Sequence, residues 1–159
     1  MRVGIGYDSH RFDAGRQLVL GGVVIPDAPG LAGHSDGDAV AHAVTDAVLG
    51  AAGRGDIGQW FPSDDARWRE ADSMELLRRV VTTLAEEGLR VGNVDVTVVC
   101  ERPRLGPHVA GMRAGLAAAL EVLHDAVSVK GKSNEGMGWI GRGEGLAVVA
   151  VALMLQPGD

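Results

Sequence analysis

The chain has 159 residues, with 15 Lys and Arg against 21 Asp and Glu for a net charge of -6. Its basic residues are scattered and no apolar run reaches the roughly 18 residues of a membrane span, which excludes a nucleic-acid groove and a transmembrane anchor. Cys100 is the only cysteine, so an internal disulfide and a thiolate-rich zinc site are excluded, and any metal must be held by His and carboxylates.

Arg2 to Gly6 reads as a strand leading into the Asp8/His10 segment. This start lacks the pattern of a secretory or transit segment, so a cytoplasmic protein is expected. Gln17 to Leu20 and Val23 to Ile25 flank Gly21-Gly22 as a hairpin whose turn tolerates positive φ. A helix is predicted over Asp38 to Ala52, where Val40, Ala43, Val44, Ala47, Val48 and Ala51 follow the helical period and Gly53 supplies a stop. Arg54 to Asp65 is a loop. Asp72, with Glu75 three residues on, opens a second helix that Gly88 closes.

Val94 to Cys100 alternates as a strand, and Pro107 is placed as the first residue of a third helix running to about Leu123. Val127 to Lys130 is a short strand and Gly131 to Gly145 a glycine-rich loop. Leu146 to Leu155 is a last strand, apolar on both faces and needing cover on both, for which self-association is one route. No repeat or linker divides residues 1–159, which read as a single α/β (α+β) domain: a mixed sheet covered by about three helices.

In an extended segment, residues i and i+2 point the same way, so Asp8 and His10 project together while Ser9 faces the opposite side. Taken alone, the pair also fits a surface acid beside a solvated imidazole. His42 sits in the middle of the Ala/Val helix with Asp38 and Asp46 a turn away, either of which could orient its ring. A lone histidine there is more often a satisfied core residue, and Asp38 equally fits a helix N-terminal acid. If the two signals meet in space, an Asp/His/His set matches a zinc centre with an open fourth position, and its donors also suit Mn or Co.

Gly33 to Asp38 (GHSDGD) runs into that helix, and its acids fit beside a cation better than around a bare phosphate. Neither GRGEG at Gly141 to Gly145 nor Gly4 to Gly6 has dinucleotide-fold or P-loop spacing. Lys130 to Glu135 (KGKSNE) groups cations, a hydroxyl, an amide and a carboxylate, enough to touch a phosphate and hold a second metal through Glu135, though a solvated polar loop has the same composition.

In order, Asp8-x-His10, GHSDGDAVAHAVTDAVLGAAGRGDIGQWFP, ADS-x-ELL, GNVDVTVVC, KGKSNE and GRGEG resemble, over essentially the whole chain, the 2-C-methyl-D-erythritol 2,4-cyclodiphosphate synthases of non-mevalonate isoprenoid biosynthesis. The resemblance implies a homotrimer with active sites between subunits, which would cover the last strand. It implies Zn2+ on Asp8, His10 and His42, with a second cation, Mg2+ or Mn2+, on Glu135 at the substrate diphosphate. The implied reaction closes 4-diphosphocytidyl-2-C-methyl-D-erythritol 2-phosphate into the cyclic diphosphate and releases CMP.

By the same resemblance His34 and Ser133 stabilise the transferring phosphate, with substrate contacts from Asp8, Ser9, His10 and Ser35. Asp56, Ile57 and Gly58 fall near the ribose and erythritol. Phe61, Pro62, Ser63, Asp64 and Asp65 match the methylerythritol stretch. Cys100, Glu101, Arg102, Pro103, Arg104, Leu105 and Gly106 match the cytosine pocket, which makes Cys100 no nucleophile. Lys132, Ser133 and Asn134 stand where the family commonly has a threonine run, and Trp139 where it has phenylalanine. Arg142 and Glu144 match a polar pair beside a three-fold channel where some members bind an isoprenoid diphosphate. A zinc phosphohydrolase giving a linear product and a non-catalytic trimer that binds a cytidine nucleotide are the competing readings.

Overall fold

The computed structural model describes residues 1–159. In chain order the elements are β1 (Arg2–Leu20), β2 (Val23–Leu31), α1 (Ala39–Ala52), a single turn α2 (Ile57–Trp60), α3 (Ser73–Glu86), β3 (Arg90–Val99), α4 (Val109–Leu120), β4 (Val127–Lys132), a second single turn α5 (Gly138–Gly141) and β5 (Gly145–Leu155). The strands form one mixed sheet in the order β2-β1-β5-β3-β4, in which only β3 and β4 run parallel, joined by the α4 crossover. The expected α/β class with three principal helices is the observed one.

Several boundaries differ from expectation. β1 is one strand of 19 residues, paired with β5 over Arg2 to Arg11 and with β2 from Phe12 on. Register shifts between Asp13 and Leu18 bend it from one neighbour to the other, and such irregularities leave no period to read in sequence. The third helix starts later than Pro107, which sits in a 3-10 turn over Gly106–His108, and stops at Leu120 because Glu121 adopts left-handed φ.

The face of the sheet bearing Val94, Val96, Val98, Val148, Ala150 and Ala152 is buried with α1, α3 and α4 in one apolar core. Residues 4, 6, 8 and 10 of β1 point to the α1 side by the two-residue alternation. A Cβ at Gly6 would lie 1.9 Å from the Ala43 carbonyl oxygen, and one at Gly4 2.1 Å from that of Ala47. The glycines and the Ala stripe therefore let α1 rest on the strand backbone, running antiparallel to it, and carry His42 over Asp8. On the opposite face Val3, Ile5, Tyr7 and Val151 are exposed, Ile5 by 69%. The last strand is thus covered on one side only within a single chain.

Candidate metal centre

Asp8 and His10 do project together, and α1 brings His42 to them. Asp8 Oδ2 lies 2.8 Å from His10 Nε2 and 3.1 Å from His42 Nδ1, and the three ligand atoms lie within 4.8 Å of one another. Burial works against ionisation of Asp8, but the hydrogen bonds and charges of His10 and His42 outweigh it and hold its carboxyl well below the usual range. The Asp8 carboxylate in turn raises His10 above the ordinary histidine value, against the opposing effect of burial.

Each imidazole has its other nitrogen tied down. His10 Nδ1 faces the Ala32 carbonyl oxygen. His42 Nε2 lies 2.9 Å from Ser73 Oγ and 3.0 Å from Ser35 Oγ. One carboxylate oxygen, one Nε2 and one Nδ1 thus converge, each ring held from behind, and this donor set fits a divalent transition metal with a position left for a substrate oxygen or water.

Neither acid flanking His42 on α1 orients it. Asp38 is fully buried and caps α1, accepting from Val40 N and Ala41 N, each at 3.0 Å. It also accepts from the hairpin turn at Gly21 N (2.8 Å) and Gly22 N (2.7 Å). Asp46 accepts from Ile57 N at 2.8 Å and so anchors α2. The orienting groups are hydroxyls from two separate segments, and nothing in the spacing along α1 points to them. Ser73 lies in the ADS stretch, but only the structure shows that it is fully buried, where a hydroxyl needs a polar partner.

A cleft of about 430 Å3 opens on the centre, lined among others by His34, Ser35, Ile57, Gly58, Phe61, Pro62, Ser63 and Asp64. Arg16 donates to the carbonyl oxygens of Gly33 (2.5 Å) and Ser35, on either side of His34. The His34 carbonyl oxygen accepts from Glu70 N at 3.0 Å. Asp56 caps α2 by accepting from Gln59 N at 2.9 Å, whereas Asp65 is engaged by Arg67 and does not line the cleft. Trp68, outside the expected set, lines it with Phe61 edge-on at 4.9 Å.

The remaining expected residues gather elsewhere. Cys100, Glu101, Pro103, Arg104, Leu105, Gly106, Lys132 and Ser133 line a second cleft, about 700 Å3, that shares no residue with the first. Burial pushes the Cys100 thiol up to about 11, which suits a structural group and not a nucleophile. Glu101 organises the neighbouring turn, its carboxylate accepting from Asn134 N at 2.8 Å and Gly136 N at 3.1 Å. Ser133 donates to Glu135 at 2.6 Å. Arg102 and Arg142 face a third cleft, and Ser9 and Trp139 share a groove beside His10 and Glu144.

The YgbB family matches residues 1–155. The chain is 57% identical over 159 residues to the 2-C-methyl-D-erythritol 2,4-cyclodiphosphate synthase of Gemmatimonas aurantiaca, covering all of this chain and 96% of that one. The corresponding synthase of Pseudomonas aeruginosa is 52% identical, covering 98% and 99%. A solved 2C-methyl-D-erythritol-2,4-cyclodiphosphate synthase in a CDP-bound form superposes with a TM-score of 0.88 at 37% identity over 97% of this chain and all of its own. The bifunctional IspDF of Campylobacter jejuni gives 0.93 at 39% identity, this chain spanning 42% of it. With matches of this strength running its full length, the chain belongs to the YgbB family.

Proposed function

We infer that the chain converts 4-diphosphocytidyl-2-C-methyl-D-erythritol 2-phosphate to 2-C-methyl-D-erythritol 2,4-cyclodiphosphate and CMP. The observation that carries this reading is the Asp8/His10/His42 centre, at the floor of a cleft in a chain whose whole-length relatives bear that synthase's name. An oxygen of the 2-phosphate attacks the β-phosphorus, the bond from that phosphorus to the oxygen bridging the α-phosphate breaks, and CMP leaves with the bridging oxygen. Positioning and charge neutralisation dominate such a transfer.

Asp8, His10 and His42 would hold Zn2+, and Glu135 would hold Mg2+ or Mn2+ against the diphosphate. When bound, these ions supply Lewis acidity and a template for the phosphate oxygens. His34 and the Ser133 hydroxyl donate to the transferring phosphate, while Asp56, Ile57 and Gly58 lie near the ribose and erythritol and Phe61, Pro62, Ser63 and Asp64 contact the methylerythritol. The backbone of Cys100 to Gly106 reads the cytosine, in keeping with the CDP named for the solved relative.

The working unit is a homotrimer in the cytoplasm. Two features support assembly: the exposed apolar face of β1 and β5, and the separation of the metal cleft from the Cys100–Ser133 cleft within one chain. The resemblance extends to an isoprenoid diphosphate in the channel on the three-fold axis, near Arg142 and Glu144. No helix is long and apolar enough to cross a membrane.

The test is a phosphorus NMR time course on the diphosphocytidyl substrate with zinc and magnesium, with and without a chelator. A chelator-sensitive pair of coupled cyclic-diphosphate signals with stoichiometric CMP is expected. Linear phosphates would convert the reading to a hydrolase, and unchanged substrate with tight CDP binding to a binding module.

A further inference from the structure

Behind His42 lies a chain of polar groups whose direction is fixed by its far end. Ser73 Oγ sits 2.5 Å from Asp36 Oδ1, and Ser73 N donates to Asp36 Oδ2 at 3.2 Å. A carboxylate only accepts, so the Ser73 proton points at Asp36, which is closer than the competing Ser35 Oγ at 3.1 Å. With its one proton committed, Ser73 Oγ meets His42 Nε2 as an acceptor at 2.9 Å. Ser35 Oγ accepts from Gly37 N at 3.2 Å and keeps a proton of its own, which can go to Ser73 Oγ at 3.1 Å or to Nε2 at 3.0 Å; given to Nε2, it would leave the Ser73 lone pair facing the lone pair of that nitrogen, so the Ser73 contact favours the first. Every group is satisfied when Nε2 carries the hydrogen.

The other ring nitrogen has its own acceptor, since Asp8 Oδ2 lies 3.1 Å from Nδ1. A proton on His42 could therefore sit on either side, and only one side leaves a lone pair facing Asp8 and His10. We propose that Asp36 is a positioning residue of the metal site, acting through Ser73 to keep the His42 proton on Nε2 and leave Nδ1 to the ion. The carboxylate at the end of the relay also makes the imidazole a stronger donor to the metal. This inference rests on the reading of Asp8, His10 and His42 as the ligands, and deepens it. It joins the GHSDGD loop and the ADS stretch, which are 37 residues apart, in one task.

The first measurement is nitrogen-15 NMR of the zinc-loaded protein labelled at histidine. His42 is expected to bind through Nδ1 and to show a downfield, solvent-protected Nε2 proton; binding through Nε2 overturns the proposal and needs no variant. The second is zinc affinity by competition with a chromophoric chelator in Asp36→Asn and Ser73→Ala. Each should bind zinc about 10- to 100-fold more weakly than the parent, and Asp36→Asn should move the Nε2 proton upfield. Wild-type affinity and an unmoved resonance in both variants overturn the relay. His42→Ala separates the two ideas. If it loses zinc while the relay variants do not, the relay alone fails; if it binds zinc as tightly as the parent, the ligand set fails and the relay with it.

Discussion

Proton and metal compete for the same lone pairs at Asp8 and His10. Because Asp8 raises His10, a protonated His10 stabilises the metal-free fold, fully below the ordinary histidine pKa of about 6.5, and that contribution is lost as pH rises through the raised value. Metal binding runs the opposite way, since it needs the neutral ring. Zinc affinity should therefore rise about tenfold per pH unit from mildly acidic pH until His10 is neutral, at a pH above the ordinary histidine value. Calorimetry in two buffers of different ionisation enthalpy should detect the released proton, and an affinity flat across that range would remove His10 from the ligands. Arg16 bears on the other side of the cleft, clamping the carbonyls that flank His34. Arg16→Gln should lower turnover about 10- to 100-fold by loosening His34 while leaving zinc affinity unchanged. Arg16→Lys, with one donor centre where two carbonyls must be met, should recover only part of the turnover. Loss of zinc in Arg16→Gln would show that the clamp supports the metal site instead.

The geometry of the centre is set by how closely an element approaches its neighbour. Gly4 and Gly6 continue the same strand face as Asp8 and His10, and they bring α1 close enough for His42 to reach the pair. Gly6→Ala would put a methyl group 1.9 Å from the Ala43 carbonyl oxygen, which is backbone and cannot swing aside. The helix must lift, at about 1–3 kcal/mol or more for overpacking, so a lower melting temperature and weakened zinc binding are expected together. Either change without the other would mean that the helix and the centre are not coupled in this way.

The two-residue spacing of Asp8 and His10 and the helix carrying His42 were legible because local periodicity fixes which way those side chains point. The Gly21-Gly22 hairpin and the Gly53 stop were legible for the same local reason. Of the two roles open to Asp38 in the sequence, the helix N-terminal acid is the one observed and the orientation of His42 is not; that a hairpin turn would press against the same carboxylate could not be read, because only tertiary folding brings the turn there. Ser73 and Asp36 were invisible as partners, since tertiary folding alone brings them together.

At the scale of the whole molecule, one chain holds two separate clefts. The metal cleft carries His34 and the candidate ligands, the other cleft carries Ser133 and the Cys100–Gly106 loop, and no residue lines both. In the proposed homotrimer, a ring of three copies would repeat one heterologous contact, so that the metal cleft of each subunit would face the second cleft of the next and Val3, Ile5 and Tyr7, exposed in the single chain, would turn inward. This arrangement predicts complementation between inactive chains. His42→Ala damages only the metal cleft, and Glu135→Ala only the loop beside Ser133. In randomly mixed trimers an interface is intact when a Glu135→Ala subunit supplies the metal cleft and a His42→Ala subunit supplies the loop, which occurs in about one quarter of interfaces for an equal mixture. Co-expressed variants should therefore recover roughly a quarter of parental turnover from two inactive parents. A site completed within one chain would give no recovery at any mixing ratio, because every site would then carry one of the two lesions.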